Sequence, residues 1–218
     1  KCHYNHGTIT LELPVFGTRT RTQYISMTIV ALIAALCAFT IGSIPFGVLV
    51  GKQFGTDPRK AGSRNIGATN VARLLGWKCG MAVLTLDVAK GALATWLGLK
   101  FGEQWGLIAG FCATLGHCYS PWLKGAGGKG VATALGVLLV ADPTSAGLAL
   151  FVWIATAAFF RIAAVSSLLA VFTIVVVCRL NQASFDLQIF TLALFFLITI
   201  RHTSNLKQLK KRWFGKTL

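Results

Sequence analysis

The sequence predicts an all-α polytopic membrane protein with about seven transmembrane helices, its N-terminus outside and its C-terminus cytoplasmic. Three observations carry this. Of 218 residues, 55% are hydrophobic and only 12% are charged, whereas a soluble surface needs about twice that charged fraction. Apolar runs recur from residue 27 to residue 200, many of them long enough for a bilayer core of about 30 Å. The net charge is +15, from 21 Lys and Arg against 6 Asp and Glu, and it lies in short gaps between the apolar runs and in the C-terminal tail. That spread argues against a nucleic-acid partner. It matches cations held at the cytoplasmic face beside anionic lipid headgroups, where they also attract anionic substrates. The six cysteines include no Cys-x-x-Cys pair, so neither a disulfide framework nor a zinc site is indicated.

Residues 1–26 are expected to be an N-terminal extension or a cloning remnant. They hold no apolar run, so they are not a signal peptide, and Met27 could be the natural initiator. Residues 27–218 are expected to form a single integral membrane domain. Its first helix, 27–50, carries Gly42-Ser43-Ile44-Pro45-Phe46-Gly47 in its second half, and the proline should kink it there. A basic loop follows at 51–76. The second helix, 77–99, contains Asp87 and Lys90, which share a helix face and should pair, fixing this helix against the bundle. The third, 104–123, has His117 and Pro121 near its end. Segment 131–141 is too short to span at 1.5 Å per residue, so it must be tilted, joined to part of the preceding loop, or half-spanning. Asp142-Pro143 marks a turn, and 145–160, 162–178 and 185–200 complete the set. The tail from 201 is basic and suits an interfacial amphipathic helix. With loop 51–76 inside, fifteen basic residues fall on that side against Lys100 and Arg179 on the other, which sets the orientation.

Three polar stretches then share one membrane face. In the first, Ser63, Asn65, Thr69 and Asn70 offer hydroxyls and amides. Gly62 and Gly67 allow close approach, and Arg73 can clasp a phosphate through two N–H groups. The second runs from Gly116 to Thr133, where Gly125, Gly127, Gly128 and Gly130 surround Lys129. Backbone N–H groups in such a turn form a nest for phosphate oxygens, and the helix starting at Val131 adds its N-terminal dipole. It is not a Walker A loop: Gly130 follows Lys129 where Ser or Thr belongs, and Leu123 occupies the first glycine position. The third is Arg201-His202-Thr203-Ser204-Asn205.

Absences narrow the chemistry. Neither His117 nor His202 is followed by an Asp at the spacing of the common acyl-CoA-dependent acyltransferases. No Ser-His-Asp set is evident. Among the acids only Asp57 lies in the cytoplasmic loops, which disfavours metal catalysis.

The stretches Asp57 to Asn70, Gly116-His117 with Pro121 and Gly127 to Thr133, and Ile200 to Asn205 resemble the three signatures of the acyl-phosphate:glycerol-3-phosphate acyltransferases of the PlsY type. Ser43 to Gly47 and Leu86 to Gly91 also look like family sequence. The resemblance covers about residues 27–207. Arg64 departs from it, standing where the family usually has glycine, and the family's acidic residue after the third signature has no counterpart here.

The resemblance implies a seven-helix enzyme of the bacterial inner membrane with a cytoplasmic-facing site. It would transfer a fatty acyl group from acyl phosphate to the 1-hydroxyl of sn-glycerol 3-phosphate. The products are lysophosphatidic acid and phosphate, at the start of phospholipid synthesis. No cofactor or metal is implied; the partners are acyl phosphate, glycerol 3-phosphate and membrane lipids. The expected catalytic set is Lys129, Arg73, His202, Asn205 and Ser63. Gly62, Asn65, Gly67, Thr69, Asn70, Gly127, Gly128, Gly130, Thr133, Arg201 and His117 form the expected binding set, His117 in a supporting position. Acyl phosphate is already activated, so positioning can supply much of the catalysis without a covalent acyl-enzyme. The competing class is a transporter for a phosphate-bearing solute, which broken helices and basic loops also suit. Against it, the ligand groups cluster on one face and no internal repeat is visible.

Overall fold

A computed structural model describes residues 2–5, 8–11 and 21–215 of the chain. Residues 6–7 and 12–20 of the expected extension, and Lys216 of the basic tail, lie outside the described residues. The chain divides into two compact units, Lys1–Ile33 and Ala34–Leu218. In the first, β1 (Cys2–Asn5) pairs antiparallel with β2 (Thr8–Leu11), Cys2 opposite Leu11 and Asn5 opposite Thr8. Thr8, Ile9 and Thr10 are β-branched and favour such a strand. The sequence reading had assigned no structure to this stretch.

In the second unit every regular element described is helical. Helix α1 (Arg21–Ser43) enters it from the first unit and breaks before α2 (Phe46–Gln53). Pro45 is the reason. It has no N–H for the ladder, and its ring disfavours helical backbone at Ile44. The carbonyls freed at the break find other donors. Ser120 Oγ donates to Ser43 O at 2.7 Å, and Lys90 Nζ to Ile44 O at 2.9 Å. In a membrane such substitutes are obligatory, because no water is present to take their place.

Next come α3 (Ala68–Leu75), α4 (Trp77–Leu99), α5 (Glu103–Cys118) and a 3-10 turn at Pro121–Leu123. Then follow α6 (Val131–Ala141), α7 (Pro143–Phe160), α8 (Ala163–Leu180), α9 (Phe185–Arg201) and α10 (Thr203–Phe214). Two helix starts are capped as their residue types dictate: Asp142 Oδ1 accepts from Ser145 N and Ser184 Oγ from Leu187 N. Helices α4 and α6 cross backbone to backbone at Gly136, where a Cβ would overlap the Val88 carbonyl. Small residues permit this approach, the usual basis of helix association in lipid. The main apolar core joins α5 to α9 through residues such as Val137, Leu138, Phe190 and Leu194.

All seven expected apolar segments are helical, but their lengths differ from the expectation. Among the described residues, four helical stretches are long and apolar enough to cross a membrane: Ile29–Gln53, Trp77–Leu99, Pro143–Phe160 and Ala163–Leu180. A fifth results if α9 and α10, bent by 51°, count as one. At 16 and 11 residues, α5 and α6 reach only about 24 Å and 17 Å. Two further differences concern local breaks. Expected helix 104–123 ends at Cys118, before Pro121. Expected loop 51–76 contains the helix α3, whose apolar face (Val71, fully buried) is only two turns long.

Candidate active site

Loop 62–70 is organised by one amide. Asn70 is 2% exposed. Its Oδ1 accepts from Ser63 N at 2.8 Å and from Arg73 Nη1 at 3.5 Å. Its Nδ2 faces the carbonyls of Pro58, Ala61 and Asn65 at 3.0, 3.2 and 2.8 Å. Asn65 Oδ1 in turn accepts from Gly67 N at 2.9 Å. A buried amide with every polar atom engaged fixes the loop, since each orphaned partner would cost about 1–3 kcal/mol. The result is to present Ser63, Thr69 and Arg73, all exposed at their own surfaces, on one side of α3.

The glycine loop is held from two directions. Gly128 N donates to His117 O at 2.9 Å, and a Cβ on Gly128 would overlap the His117 ring. From the end of α9, Arg201 donates Nε to Gly128 O at 3.1 Å and Nη2 to Gly127 O at 3.0 Å. Its guanidinium also stacks 4.9 Å from the Tyr119 ring. Gly130, at φ 85°, turns the chain into α6, whose first N–H groups have no intrahelical partner. Lys129 is half-buried and makes no ion pair among the described residues. Burial lowers its pKa from the ordinary lysine value, and the Arg201 charge lowers it further.

Beneath this loop lies a buried polar cluster. Lys90 Nζ is 2.8 Å from Asp87 Oδ1 and 2.8 Å from His117 Nδ1, and Asp87 Oδ1 is 3.5 Å from the same imidazole nitrogen. The expected Asp87–Lys90 pair is present, and it extends to the histidine and to the Pro45 break. An ammonium has only donors, so Nδ1 of His117 is the acceptor and Nε2 carries the proton on the side of Gly128.

His202 is 2% exposed at the junction of α9 and α10. Its Nδ1 lies 2.8 Å from Ile198 O, which can only accept. Nδ1 therefore bears the hydrogen, and a neutral ring leaves Nε2 as an acceptor.

These parts meet in one cavity of about 460 Å³. Its polar end is lined by Ser63, Arg73, Lys129, His202 and Asn205, together with Asn65, Gly67, Thr69, Asn70, His117 and Gly130. Gly62, Gly127, Gly128, Thr133 and Arg201 are not on its wall. Gly62 instead packs on Asn70 Oδ1, and Arg201 spends its donors on the glycine-loop carbonyls. Asp87 and Arg161 do line it. Arg161, one of the fifteen basic residues assigned to the inner face, is not among the expected site residues. The signal available was its place in the short junction between two apolar segments. Beyond the polar end the cavity continues between α6, α7, α8 and α9 as an apolar sleeve, with Leu135, Leu138, Trp153, Val171 and Leu194 among its walls.

A cationic, glycine-edged chamber opening into an apolar sleeve within a helical bundle offers room for an anionic group at one end and an apolar one at the other. A family model described as glycerol-3-phosphate acyltransferase matches residues 32–212. The glycerol-3-phosphate acyltransferase of Myxococcus xanthus strain DK1622 is 42% identical over 181 residues, 81% of this chain and 94% of that protein. The one from Leptospira borgpetersenii serovar Hardjo-bovis strain JB197 is 46% identical over 147 residues, 65% of this chain and 67% of the relative. Crystal structures of PlsY, an integral membrane glycerol 3-phosphate acyltransferase, share the fold. Its glycerol 3-phosphate form gives a TM-score of 0.79 at 34% identity, over 83% of this chain and 92% of that one. Its lysophosphatidic acid form gives 0.78 at 33%, over 83% and 91%. The chain belongs to the glycerol-3-phosphate acyltransferase family of the PlsY type. It is an integral membrane protein, and its place in phospholipid biosynthesis follows from the family.

Proposed function

We propose that this protein transfers a fatty acyl group from acyl phosphate to the 1-hydroxyl of sn-glycerol 3-phosphate, in one step. The observation that carries this is the continuity of the cavity: Lys129, Arg73 and His202 at one end, an apolar sleeve at the other. The glycerol hydroxyl oxygen bonds to the acyl carbon, and the bond from that carbon to the phosphate oxygen breaks. Phosphate leaves with the electron pair. The hydroxyl proton passes to an oxygen of the acyl phosphate, or to His202 Nε2. Lys129, Arg73 and the first N–H groups of α6 stabilise the phosphates and the developing charge. Ser63, His202 and Asn205 position glycerol phosphate, and the acyl chain lies in the sleeve. Both substrates are negative, which accounts for the excess of cations and backbone donors at the polar end.

In this reading residues 27–218 are the catalytic domain, set in the bacterial cytoplasmic membrane with the N-terminus outside and the site facing the cytoplasm. The segregation of basic residues supports that orientation. The test is an assay of purified protein with palmitoyl phosphate and glycerol 3-phosphate, scored for phosphate and lysophosphatidic acid, with palmitoyl-CoA in parallel. Product from acyl phosphate alone is expected. Product only from the CoA donor would overturn the donor assignment, and a trapped acyl-serine or acyl-cysteine would overturn direct transfer.

A further inference from the structure

The sleeve has a definite floor, and its position follows from two helix stripes. On α8 the cavity is lined by Ala163, Ser167, Ala170, Val171 and Ile174, a single face that descends from the polar end. On the antiparallel α7 the matching face is Trp153, Leu150 and Ala149. One turn beyond, these stripes reach Cys178 on α8 and Ser145 on α7. Neither lines the cavity. Both are buried, 2% and 3% exposed, and they touch each other, with Ser145 Oγ 3.7 Å from Cys178 Sγ. The two helices therefore close on themselves directly below Ala149 and Ile174. Higher up they are kept in register by Trp153 Nε1, which donates to Ser167 Oγ at 3.1 Å across the pair.

We propose that Ala149 and Ile174, backed by the Ser145–Cys178 contact, set the acyl-chain length this enzyme prefers. The proposal rests on acyl transfer as the activity. From Ala163 to Ile174 the stripe descends about 16 Å at 1.5 Å per residue, which is the part of an extended chain's path that runs along α8, below the polar end. An all-trans chain advances about 1.3 Å per carbon, so filling one turn of about 5.4 Å removes room for about four carbons. Ala149 is the position where this is simplest, because its methyl leaves the floor low and a phenyl there would project into the sleeve. Ile174 works in the opposite direction, since truncating it opens space just above Cys178. A hydrophobic pocket discriminates strongly against a chain it cannot accommodate: one methylene in excess can cost about tenfold or more.

The experiment measures kcat/KM for lauroyl, myristoyl, palmitoyl and stearoyl phosphate with the full-length parent, Ala149→Phe and Ile174→Ala. The KM for glycerol 3-phosphate is followed as a check on the polar end. In Ala149→Phe the palmitoyl-to-lauroyl ratio is expected to fall at least about tenfold, with lauroyl turnover and the glycerol 3-phosphate KM retained. In Ile174→Ala the stearoyl-to-palmitoyl ratio is expected to rise. If Ala149→Phe does not fold, the Ile174→Ala ratio decides alone, because a large-to-small change leaves the helix path free. An active parent whose variants keep its chain profile, or lose all donors equally, overturns the floor and leaves acyl transfer standing. A folded parent inactive with every acyl phosphate and every acyl-CoA overturns acyl transfer, and the floor with it.

Discussion

Lys90 Nζ stands 2.8 Å from His117 Nδ1, inside the bundle and directly behind the glycine loop. The same ammonium holds Asp87 and the Ile44 carbonyl, so one side chain ties α4 to α5 and to the proline break. Its removal leaves the Asp87 carboxylate buried without a counter-charge. Breaking a buried pair in this way typically costs about 3–5 kcal/mol, whereas removing both charges costs far less. Lys90→Met is therefore expected to lower the thermal midpoint in detergent sharply, and Asp87→Asn combined with Lys90→Met to recover most of the loss. Equal destabilisation in the single and double variants would show that the charge pairing is not what holds this junction.

Arg201 is a strap on the glycine loop. It engages two successive carbonyls, of Gly127 and Gly128, through two nitrogens of one planar group. A lysine carries its three donors on a single nitrogen and lacks the rigid two-nitrogen fork that spans both carbonyls. Arg201→Lys and Arg201→Ala are expected to raise the KM for the phosphate substrates by about tenfold or more, from loss of charge-assisted bonds worth about 1.5–3 kcal/mol each. The readout is KM for glycerol 3-phosphate together with the melting temperature. A lysine variant indistinguishable from the parent in both would remove the strap.

Much of this was legible beforehand because its signals are local. The bounds of α6 follow from a glycine before it and Asp142-Pro143 after it. The Pro45 break follows from covalent chemistry, and the Asp87–Lys90 pair from spacing on one helix. What was not legible depends on partners far apart in sequence. An arginine that binds phosphate and one that binds carbonyls offer the same donors, so Arg201 was placed with the ligands. His117 and Lys90 are 27 residues apart, and no periodicity links them. Asn70 belonged to the polar set on composition, but its engagement by loop carbonyls needed the folded loop. The lining role of Arg161 likewise depends on how α7 and α8 pack.

The lowered pKa of Lys129 makes a pH dependence expected at the alkaline end. The amine is charged below its pKa and neutral above it. Burial, with Arg201 assisting, brings that pKa below the ordinary value, so the charge is lost earlier as pH rises. For stability the sign is opposite: the penalty on the buried ammonium is full below this lowered pKa, fades as pH rises from it toward the ordinary lysine value, and is absent above that value. Activity should therefore decline on the alkaline side without loss of fold. Lys129→Arg should move that limb upward, because guanidinium does not deprotonate. Lys129→Ala should lower kcat/KM by about 10²–10³. Profiles of kcat/KM against pH decide; an identical limb in parent and Lys129→Arg would mean another group titrates there.

Arg64 sits at φ 58°, a left-handed conformation that costs an L-residue roughly 1–2 kcal/mol and costs glycine little. It is exposed and makes no ion pair among the described residues. A glycine at this position, as the resemblance implies, would relieve that strain, and this chain carries it. Arg64→Gly is expected to raise stability by about 1 kcal/mol, less whatever glycine adds to unfolded-chain entropy. The measurement is the thermal midpoint in one detergent. A lower midpoint would show that the Arg64 side chain makes a compensating contact.

Variants of His202 decide who takes the proton. Its Nδ1–H is committed to Ile198 O, which fixes the ring and leaves Nε2 as an acceptor lining the cavity. That geometry serves a general base and a simple hydrogen-bond acceptor equally well. The two differ in magnitude, since loss of a general base typically costs about 10²–10⁴-fold. Gln at this position keeps an acceptor oxygen near the place of Nε2 but cannot carry a proton away. If the acyl phosphate oxygens take the proton, His202→Gln keeps kcat within about tenfold of the parent, below that general-base range, while His202→Ala loses more through KM for glycerol 3-phosphate. A kcat lowered by two orders of magnitude or more in His202→Gln, with KM unchanged, would instead assign the proton to the imidazole. Direct transfer would then proceed with an enzyme base.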